Sequence, residues 1–418
     1  MRLPHWERML LASLLVTAAI ITTAVVAQDQ ESDAANSAAN FIGPPALEPT
    51  GDPASVAFIG PPQMPNFSIL GQEVLPGARA QLEWSASQSF AGGEMVSPVV
   101  VVHGLRPGPV LCLTAGIHGD ELNGVETVRR IIHGVDPAQL SGTLIGVPIV
   151  NLFGFSSGTR YLPDRRDLNR YFPGTRVGSI ASRIAQSFFT GVVRKCEALV
   201  DFHTGSFDRS NLPQVRADLR NPEVLAFAAK FGATPVLHSA GATGMLRSAA
   251  SRVGIPSVTF ESGAPGLLQI PEIEASVRSI EVLLYELDMT SQAPARSEPQ
   301  AVFYDSRWVR ANSGGMLISH VVLGERVEVA QSMGVVVDPI NNIERVIYSP
   351  INGRVIGMAR NQVVLPGFAA YHVGEEKSAT AAAQDAVSQN SEGAIEEEYS
   401  DEQAPEREPA DARGRDRE

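Results

Sequence analysis

Two of the eight histidines lie in glycine-rich turns, each at the end of an apolar run that predicts a β-strand. His118 and Glu121 are three residues apart in one turn, and His203 follows the run Ala198 to Phe202. Two imidazoles and one carboxylate form a ligand set that zinc accepts, and they leave its fourth position to water. His118 and Glu121 alone would be interpreted as a solvated pair, but in combination with His203 and the later segments they indicate a catalytic zinc site.

A carboxylate and a polar loop could supply the other groups of such a site. Glu261 directly follows the apolar run Ser257 to Phe260, where a carboxylate needs a partner such as an activated water molecule. Asn169 and Arg170 are adjacent in a predicted loop, so an amide and a planar guanidinium could clamp a substrate carboxylate there. A surface salt-bridge cluster is the alternative for the arginines of this loop.

Composition limits the function classes. The chain has 418 residues, of which 44% are hydrophobic and 19% charged, so it must build at least one sizeable core. Residues 375–418 hold 14 acidic and 5 basic residues, a net charge of −9 that leaves only −4 for the rest. Without a basic excess, no nucleic-acid partner is expected. Cys112 and Cys196 are too few for a disulfide scaffold, and the apolar run around Cys112 favours a buried, inert thiol.

The N-terminal region resembles an export signal followed by a linker. Residues 1–27 combine two arginines with an uncharged run and small residues suited to cleavage, which predicts an exported protein, periplasmic or extracellular. An uncleaved membrane anchor is the alternative, because the run has 18 residues. Residues 28–67 are rich in Ala and Pro and contain the sequence Phe-Ile-Gly-Pro-Pro twice, so they are interpreted as a low-complexity linker.

Residues 68–292 alternate short apolar runs with amphipathic stretches, which predicts an α/β domain with a parallel or mixed sheet flanked by helices. The predicted strands cover residues 99–103, 110–115, 143–150, 198–202, 234–237 and 257–260. The predicted helices cover residues 124–134, 179–195, 222–231 and 271–287. Residues 300–374 contain β-branched runs separated by Gly, Pro and Asn, typical of a small all-β module. Residues 375–418 are expected to be a disordered acidic tail.

Four motifs, G-I-H-G-D-E, D-L-N-R-x-F-P-G, D-F-H-T-G and F-E-S-G, occur in the order typical of one enzyme family. Over roughly residues 74–374 the chain resembles the succinylglutamate desuccinylase and aspartoacylase family of the zinc carboxypeptidase superfamily. The resemblance implies one zinc ion per chain, held by His118, Glu121 and His203, with Glu261 as general base and proton shuttle. It also implies a mixed-sheet zinc carboxypeptidase-like domain followed by a barrel-sandwich-like β module.

By the same resemblance, Asn169 and Arg170 match the pair that holds the substrate carboxylate. Arg160 is similar to the arginine that polarises the scissile carbonyl, but its spacing from Asn169 is longer than in aspartoacylase, so Arg166 could take that role. Arg247 could reach a second substrate carboxylate.

Asp201 precedes His203 by two residues, so it is a candidate acceptor that orients this imidazole. A cap of the turn at the strand end is the alternative. His103, His133, His238 and His320 are interpreted as structural or solvated.

The β module resembles biotinyl and lipoyl carrier domains, which need a lysine at a hairpin tip. Residues 301–374 contain no lysine, so the module cannot carry a swinging arm. It could form a wall over the active-site entrance or an assembly surface.

These observations predict a zinc-dependent deacylase. Water activated by zinc and deprotonated by Glu261 would attack the amide of an N-acyl amino acid or a similar small carboxylate-bearing amide. One alternative is an exported zinc carboxypeptidase acting on peptides, and another is a non-catalytic envelope binding protein. The sequence does not indicate an oligomeric state.

Overall fold

The computed structural model describes residues 64–88, 94–293, 300–360 and 362–377. The predicted signal segment lies outside these residues, as do most of the predicted linker and tail. At both ends the described structure differs slightly from the predicted bounds. One strand begins at Phe67, and another runs to Lys377, where it pairs with Val302. None of the described helices is long and apolar enough to cross a membrane.

Ten strands, six α-helices and two short 3-10 helices (Leu168–Arg170 and Val193–Lys195) of the described residues precede the all-β module. The strands are β1 (Phe67–Ile69), β2 (Gln72–Val74), β3 (Ala78–Gln88), β4 (Glu94–His103), β5 (Arg106–Thr114), β6 (Ser141–Val147), β7 (Ala198–His203), β8 (Arg209–Ala217), β9 (Val236–His238) and β10 (Ser257–Gly263). The helices are α1 (Leu122–Gly134), α2 (Leu152–Ser157), α3 (Ile180–Gly191), α4 (Pro222–Ala228), α5 (Leu246–Ser251) and α6 (Ile270–Glu286).

The strands β3 to β10 form the main part of a mixed sheet in the order β9-β8-β10-β7-β5-β6-β4-β3. β5 is parallel to β6 and β7, and β7 is parallel to β10. The carboxyl ends of β5, β7 and β10 therefore meet at one edge, where α/β sheets bind ligands. The predicted α/β class with a mixed sheet is confirmed.

Helices cover both faces of this sheet because its central strands are apolar on both sides. On β5, Leu111 and Leu113 belong to one core, which includes residues of α1 and α6. Cys112 belongs to the opposite core, which includes residues of α3 and α5. Every residue of β7 is buried. Strands buried on both faces appear in the sequence as unbroken apolar runs, which is why they could be predicted.

The all-β module is also confirmed. Its strands are β11 (Val302–Arg310), β12 (Gly315–Ser319), β13 (Arg326–Val327), β14 (Ser332–Asp338), β15 (Ile343–Tyr348), β16 (Gly353–Ala359), β17 (Val363–Val364) and β18 (Ala369–Lys377). β12, β14, β15 and β17 form a four-stranded sheet, whereas the other four extend the mixed sheet to twelve strands. β11 pairs with β9, and β16 pairs with β8. Backbone hydrogen bonds therefore join the module to the sheet that carries the site.

Cys112 and Cys196 form a disulfide, which corrects the prediction of a free thiol at Cys112. Cys112 lies on β5, and Cys196 comes shortly before β7, the parallel neighbour of β5. This pairing brings the two Cα atoms to 5.7 Å. The apolar run correctly predicted that Cys112 is buried. It contained no sign of a partner 84 residues away, which only the strand order brings near.

Replacing both cysteines by alanine is expected to lower the free energy of unfolding by about 2 to 4 kcal/mol, because the disulfide closes a long loop in the unfolded chain. Urea unfolding of the oxidised protein and of the Cys112→Ala/Cys196→Ala variant would measure the difference. The oxidised protein should show no reactive thiol in denaturant. Two reactive thiols, or equal stability of the two proteins, would contradict this expectation.

Candidate active site

Three neighbouring segments bring His118, Glu121 and His203 together at the carboxyl edge of the sheet. His118 lies in the turn after β5, Glu121 immediately precedes α1, and His203 is the last residue of β7. His118 Nδ1 lies 2.9 Å from Glu121 Oε1 and 3.1 Å from His203 Nδ1. His203 Nδ1 lies 2.9 Å from Glu121 Oε2. All three side chains are buried, so the predicted ligand group is assembled as a compact set of donor atoms.

The turn that carries His118 requires glycine. A Cβ atom at Gly119 would lie 1.9 Å from the carbonyl carbon of Gly154, at the start of α2. Any side chain larger than hydrogen would clash at this position, because the turn packs closely against α2. The glycine next to His118 thus has a steric reason, and the turn between β5 and α1 is fixed by packing.

Each histidine of the group bonds to a carboxylate through Nε2, the ring nitrogen that faces away from the other two members of the group. His203 Nε2 lies 2.8 Å from Asp201 Oδ2, and Asp201 Oδ1 accepts a hydrogen bond from Thr114 Oγ1. His118 Nε2 lies 3.0 Å from Asp167 Oδ1. The predicted role of Asp201 agrees with this geometry, whereas Asp167 was missed. An Nε2–H group that donates to a carboxylate leaves the lone pair of the ring on Nδ1, the atom that could bind a metal ion.

The buried carboxylates and histidines of this group shift one another's pKa values. Burial raises the pKa of Glu121, but His118 and His203 outweigh it and hold this pKa well below its ordinary value. Burial also raises the pKa of Asp167, but His118, Arg160 and Arg170 together outweigh it, so that this pKa falls well below its ordinary value. Burial lowers the pKa of His203, but Asp201 and Glu121 raise it well above its ordinary value. This surplus of negative charge favours a bound cation, whether a proton or a metal ion.

The residues fit zinc. Two Nδ1 atoms and one carboxylate, all within 4.8 Å of one another, are the donors of a three-ligand catalytic zinc site. The carboxylates behind the two imidazoles are the supporting groups that zinc-binding histidines usually have. The ligand atoms, their spacing and their support therefore agree with the cation that the sequence predicts.

Arg160, and not Arg166, lies beside the ligand group. Arg160 is buried, its Nη1 donates to Glu121 Oε1 at 3.2 Å, and its Nη2 donates to Asp167 Oδ2 at 2.9 Å. Arg166 is half-buried and donates to Asp164 and Tyr171. A guanidinium at the position of Arg160 could stabilise charge that develops close to the metal.

Glu261 lies next to His203 across the strand pair β10–β7. It is buried within β10, which continues to Gly263 and so extends beyond residue 260, the predicted end of this strand. Asn211 Nδ2 donates to its Oε2 at 3.1 Å, and Arg216 Nε lies 3.8 Å from its Oε1. These contacts from β8 hold the carboxylate in the cavity that His118, Glu121 and His203 also line.

One cavity contains nearly all of the predicted site residues. Its lining residues are His118, Glu121, Arg160, Asn169, His203, Thr204, Gly205, Ser206, Arg209, Asn211, Arg216, Met245, Arg247, Thr259, Glu261 and Trp308. Arg170 is the one predicted site residue outside this set. Among the lining residues that the sequence did not single out are two arginines, one asparagine and one tryptophan: Arg209, Asn211, Arg216 and Trp308.

Asn169 and Arg247 are fixed by backbone contacts. Asn169 Oδ1 accepts a hydrogen bond from the backbone N–H of Leu246, the first residue of α5. Arg247 follows in α5, and its Nη1 and Nη2 donate to Ser239 O and Oγ, both at 2.7 Å. Arg170 Nη1 donates to the carbonyl of Asn169. Of these two arginines, Arg247 and not Arg170 lines the cavity together with Asn169.

The fold and the site define a class of protein: a mixed-sheet α/β protein with a buried two-histidine, one-glutamate group at the carboxyl edge of its sheet. Residues 107–286 match the succinylglutamate desuccinylase/aspartoacylase catalytic domain. This match confirms the resemblance to the family that the motifs predict.

Sequence and structure relatives agree with this family. The N-alpha-acetyl-L-2,4-diaminobutyric acid deacetylase of Halomonas elongata is 27% identical over 271 residues, which are 62% of this chain and 78% of the relative. The succinylglutamate desuccinylase/aspartoacylase structure from Rhodobacter sphaeroides has a TM-score of 0.66 at 25% identity, over 72% of this chain and 96% of that one. The product-bound ectoine utilization protein EutE (DoeB) from Ruegeria pomeroyi shares the fold, with a TM-score of 0.64 at 23% identity, over 71% and 95% of the two chains.

Proposed function

We propose that this protein is a zinc-dependent deacylase that hydrolyses the amide bond of an N-acyl amino acid or a similar small, carboxylate-bearing amide. One observation carries the proposal: Glu261 lines the same cavity as His118, Glu121 and His203. A carboxylate that is not a ligand, placed beside a group of metal ligands, is the arrangement that hydrolysis by activated water requires. The named deacetylase relative supports an amide substrate.

Each residue of the cavity has a role in this reaction. Zinc, when bound by His118, Glu121 and His203, supplies Lewis acidity that makes water nucleophilic at neutral pH. An oxygen of Glu261 takes the proton of the attacking water and later returns it to the leaving amine. Arg160 stabilises the negative charge that develops on the carbonyl oxygen of the substrate.

An exported zinc carboxypeptidase is the second candidate. The predicted export signal favours it, and the disulfide supports an oxidising compartment, because disulfides are rare in reducing cytosol. We therefore propose export as well, with the N-terminal segment as signal or anchor.

We further propose that the β module has a barrel-sandwich shape and forms a wall of the active site. Trp308, a residue of the module that lines the cavity, supports the role as a wall.

A substrate panel tests the proposed reaction. The zinc-loaded protein is given N-acetyl and N-succinyl amino acids and, in parallel, dipeptides. We expect kcat/KM for the best N-acyl amino acid to exceed that for the best dipeptide by more than about tenfold, a difference of about 1.4 kcal/mol in transition-state binding. Faster cleavage of dipeptides would support the carboxypeptidase. Bound zinc without turnover of either class would support the binding protein.

Arg247→Ala is expected to lower kcat/KM about 10- to 150-fold for an N-acyl amino acid, because each lost charge-assisted hydrogen bond contributes about 1.5 to 3 kcal/mol. The carboxamide analogue of the same substrate should lose little, since it never forms the charged bond. Arg247→Lys keeps the charge but loses the planar fork, so an intermediate loss is expected. Equal fractional losses on acid and carboxamide would remove Arg247 from carboxylate binding.

Arg170→Ala, tested with the same substrate pair, decides the role that the family resemblance gives to Arg170. A selective loss on the acid would show that Arg170 reaches the substrate when it is bound. Equal, small losses would leave the carboxylate to Arg247 and Asn169, the two residues that line the cavity.

A further inference from the structure

The turn between β7 and β8 has a backbone conformation that bulky residues rarely adopt. Phe207 and Asp208 are its two central residues, with φ angles of 52° and 62°. The backbone N–H of Arg209 donates to the carbonyl of Ser206 at 3.3 Å and closes the turn. Positive φ at both central positions favours glycine, asparagine or aspartate, and it is strained for the side chain of Phe207. Such a conformation persists only where surrounding contacts hold it.

The β module supplies contacts that hold this turn. The backbone N–H of Arg360 donates to the carbonyl of Asp208 at 3.0 Å, and Gln362 Nε2 donates to the same oxygen at 3.3 Å. The guanidinium of Arg360 also pairs with the carboxylate of Asp208. Arg360 directly follows β16, whose last residues pair with the start of β8. The conformation of the turn therefore depends on a segment 152 residues further along the chain.

The turn places the ring of Phe207 against the guanidinium of Arg160. The guanidinium carbon lies 5.6 Å from the ring centre, which is within the range of a cation–π contact. Phe207 is 41% exposed, so the burial of its own apolar surface offsets little of the strain in the turn. Arg160 is only 7% exposed. One result of the strained turn is thus an aromatic ring held against a buried guanidinium.

This ring contact suits the role that the proposed reaction gives to Arg160. Arg160 Nη1 donates to Glu121, and its Nη2 donates to Asp167. A cation–π contact restrains the guanidinium further without occupying any of its N–H groups. Donors that are already in place stabilise developing charge best, because they need no reorganisation during the reaction. A ring that limits the movement of Arg160 therefore favours the reaction.

We propose that Phe207 is a positioning residue for Arg160, and that the β module holds Phe207 in place through Asp208. This inference rests on the proposed deacylase function, in which Arg160 stabilises charge on the carbonyl oxygen of the substrate. The contribution falls on kcat and not on KM, because a group that acts on developing charge strengthens binding only in the transition state. The β module thereby acts on the reaction through this turn as well as through the cavity wall.

Steady-state hydrolysis of the best N-acyl amino acid by the zinc-loaded full chain tests this role. Phe207→Leu keeps an apolar side chain but removes the ring, so kcat should fall about 2- to 30-fold, the range of a cation–π contact. KM should change by less than about twofold. Phe207→Tyr retains the ring and should keep kcat within about twofold of the wild-type value.

Tyr285→Leu is the matched control for the loss of an exposed aromatic ring. Tyr285 is 37% exposed and lies near the end of α6. The carbonyl of Met289, shortly after this helix, accepts a hydrogen bond from the backbone N–H of Ser141, the first residue of β6. This end of α6 is therefore at the amino edge of the sheet, opposite the site, and Tyr285→Leu should leave kcat unchanged.

A double-mutant cycle tests whether the effect passes through Arg160. Arg160→Gln removes the cation, and Phe207→Leu in this background should lower kcat by less than about 1.5-fold further. The Arg360→Gln/Gln362→Ala variant loses the side-chain contacts of the β module with Asp208. It should lower kcat in the wild type by part of the Phe207→Leu effect, and it should have no further effect in Phe207→Leu.

A spectroscopic measurement separates this inference from the proposed function. The ring current of Phe207 shifts the proton resonance of Arg160 Nε–H, which is assigned by its loss in Arg160→Lys. Phe207→Leu should move this resonance, and Phe207→Tyr should leave it nearly in place. If no N-acyl substrate is hydrolysed, the deacylase proposal fails and the resonance alone decides the positioning role. An unmoved resonance, an unchanged kcat in Phe207→Leu, or additive losses in the cycle would overturn that role and leave the deacylase in place.

Discussion

The Glu261→Gln protein is expected to keep its zinc and to lose about 10²- to 10⁴-fold in kcat, the usual contribution of a positioned proton-transfer group. Glutamine has the shape of glutamate, and its oxygen can still accept the hydrogen bond from Asn211 Nδ2. The substitution removes only the ability to take up and return a proton. The measurement is steady-state hydrolysis of the best N-acyl amino acid, with zinc determined in the same samples.

Glu274→Gln is the control for this experiment. Glu274 is an exposed residue of α6 that pairs with Arg278 on the surface, so its loss should leave kcat unchanged. An unchanged kcat in Glu261→Gln would remove Glu261 from the reaction. Loss of zinc together with activity would instead give Glu261 a part in metal binding, which its contacts with Asn211 and Arg216 do not suggest.

The buried group of His118, Glu121 and His203 could be predicted because local rules place its members. His118 and His203 follow apolar runs that become β5 and β7, and parallel neighbouring strands end at the same edge of a sheet. Glycine at position 119 permits the tight turn that brings Glu121 back toward His118. The residue types, the strand order and the turn glycine all predict that these three side chains lie together. The sequence was therefore sufficient to predict this part of the site.

The basic side of the cavity could not be predicted in the same way. β8 contains Pro213 and several polar residues, and a proline argues against a central strand, so the segment gave no strand signal. Its residues Arg209 and Asn211 enter the cavity only because β8 pairs with β10 and, far along the chain, with β16. Trp308 comes from the β module, whose pairing with the main sheet has no local signature.

Asp167 and Arg170 also show the limit of predicting site residues from the sequence. Asp167 lies in the same D-L-N-R motif as Asn169, yet its contacts with His118 and Arg160 depend on the path of the loop between α2 and α3. Arg170 has the residue type expected for a carboxylate clamp, but it does not line the cavity, whereas Arg247 does. A motif therefore identifies which types of side chain are present, and packing decides which of two similar side chains lines the cavity.

The His203→Ala protein is expected to contain no tightly bound zinc and to have no measurable deacylase activity. His203 supplies one of three ligand atoms, its Nδ1 lies within about 3 Å of both other ligands, and Ala offers no donor in its place. Wild-type protein loaded with zinc and dialysed should retain one zinc per chain. Elemental analysis of both proteins after the same dialysis measures the difference.

Two further variants make this result specific. His320→Ala removes an exposed histidine of the β module that bonds to Ser332, and it should retain one zinc per chain. Asp201→Asn keeps all three ligands but weakens the acceptor of His203 Nε2–H, so the zinc affinity should fall about 10- to 100-fold without complete loss. Stoichiometric zinc in His203→Ala would place the metal elsewhere in the chain. If Asp201→Asn binds zinc as tightly as the wild type, the carboxylate of Asp201 adds nothing to zinc affinity. Strand packing alone would then orient the imidazole of His203.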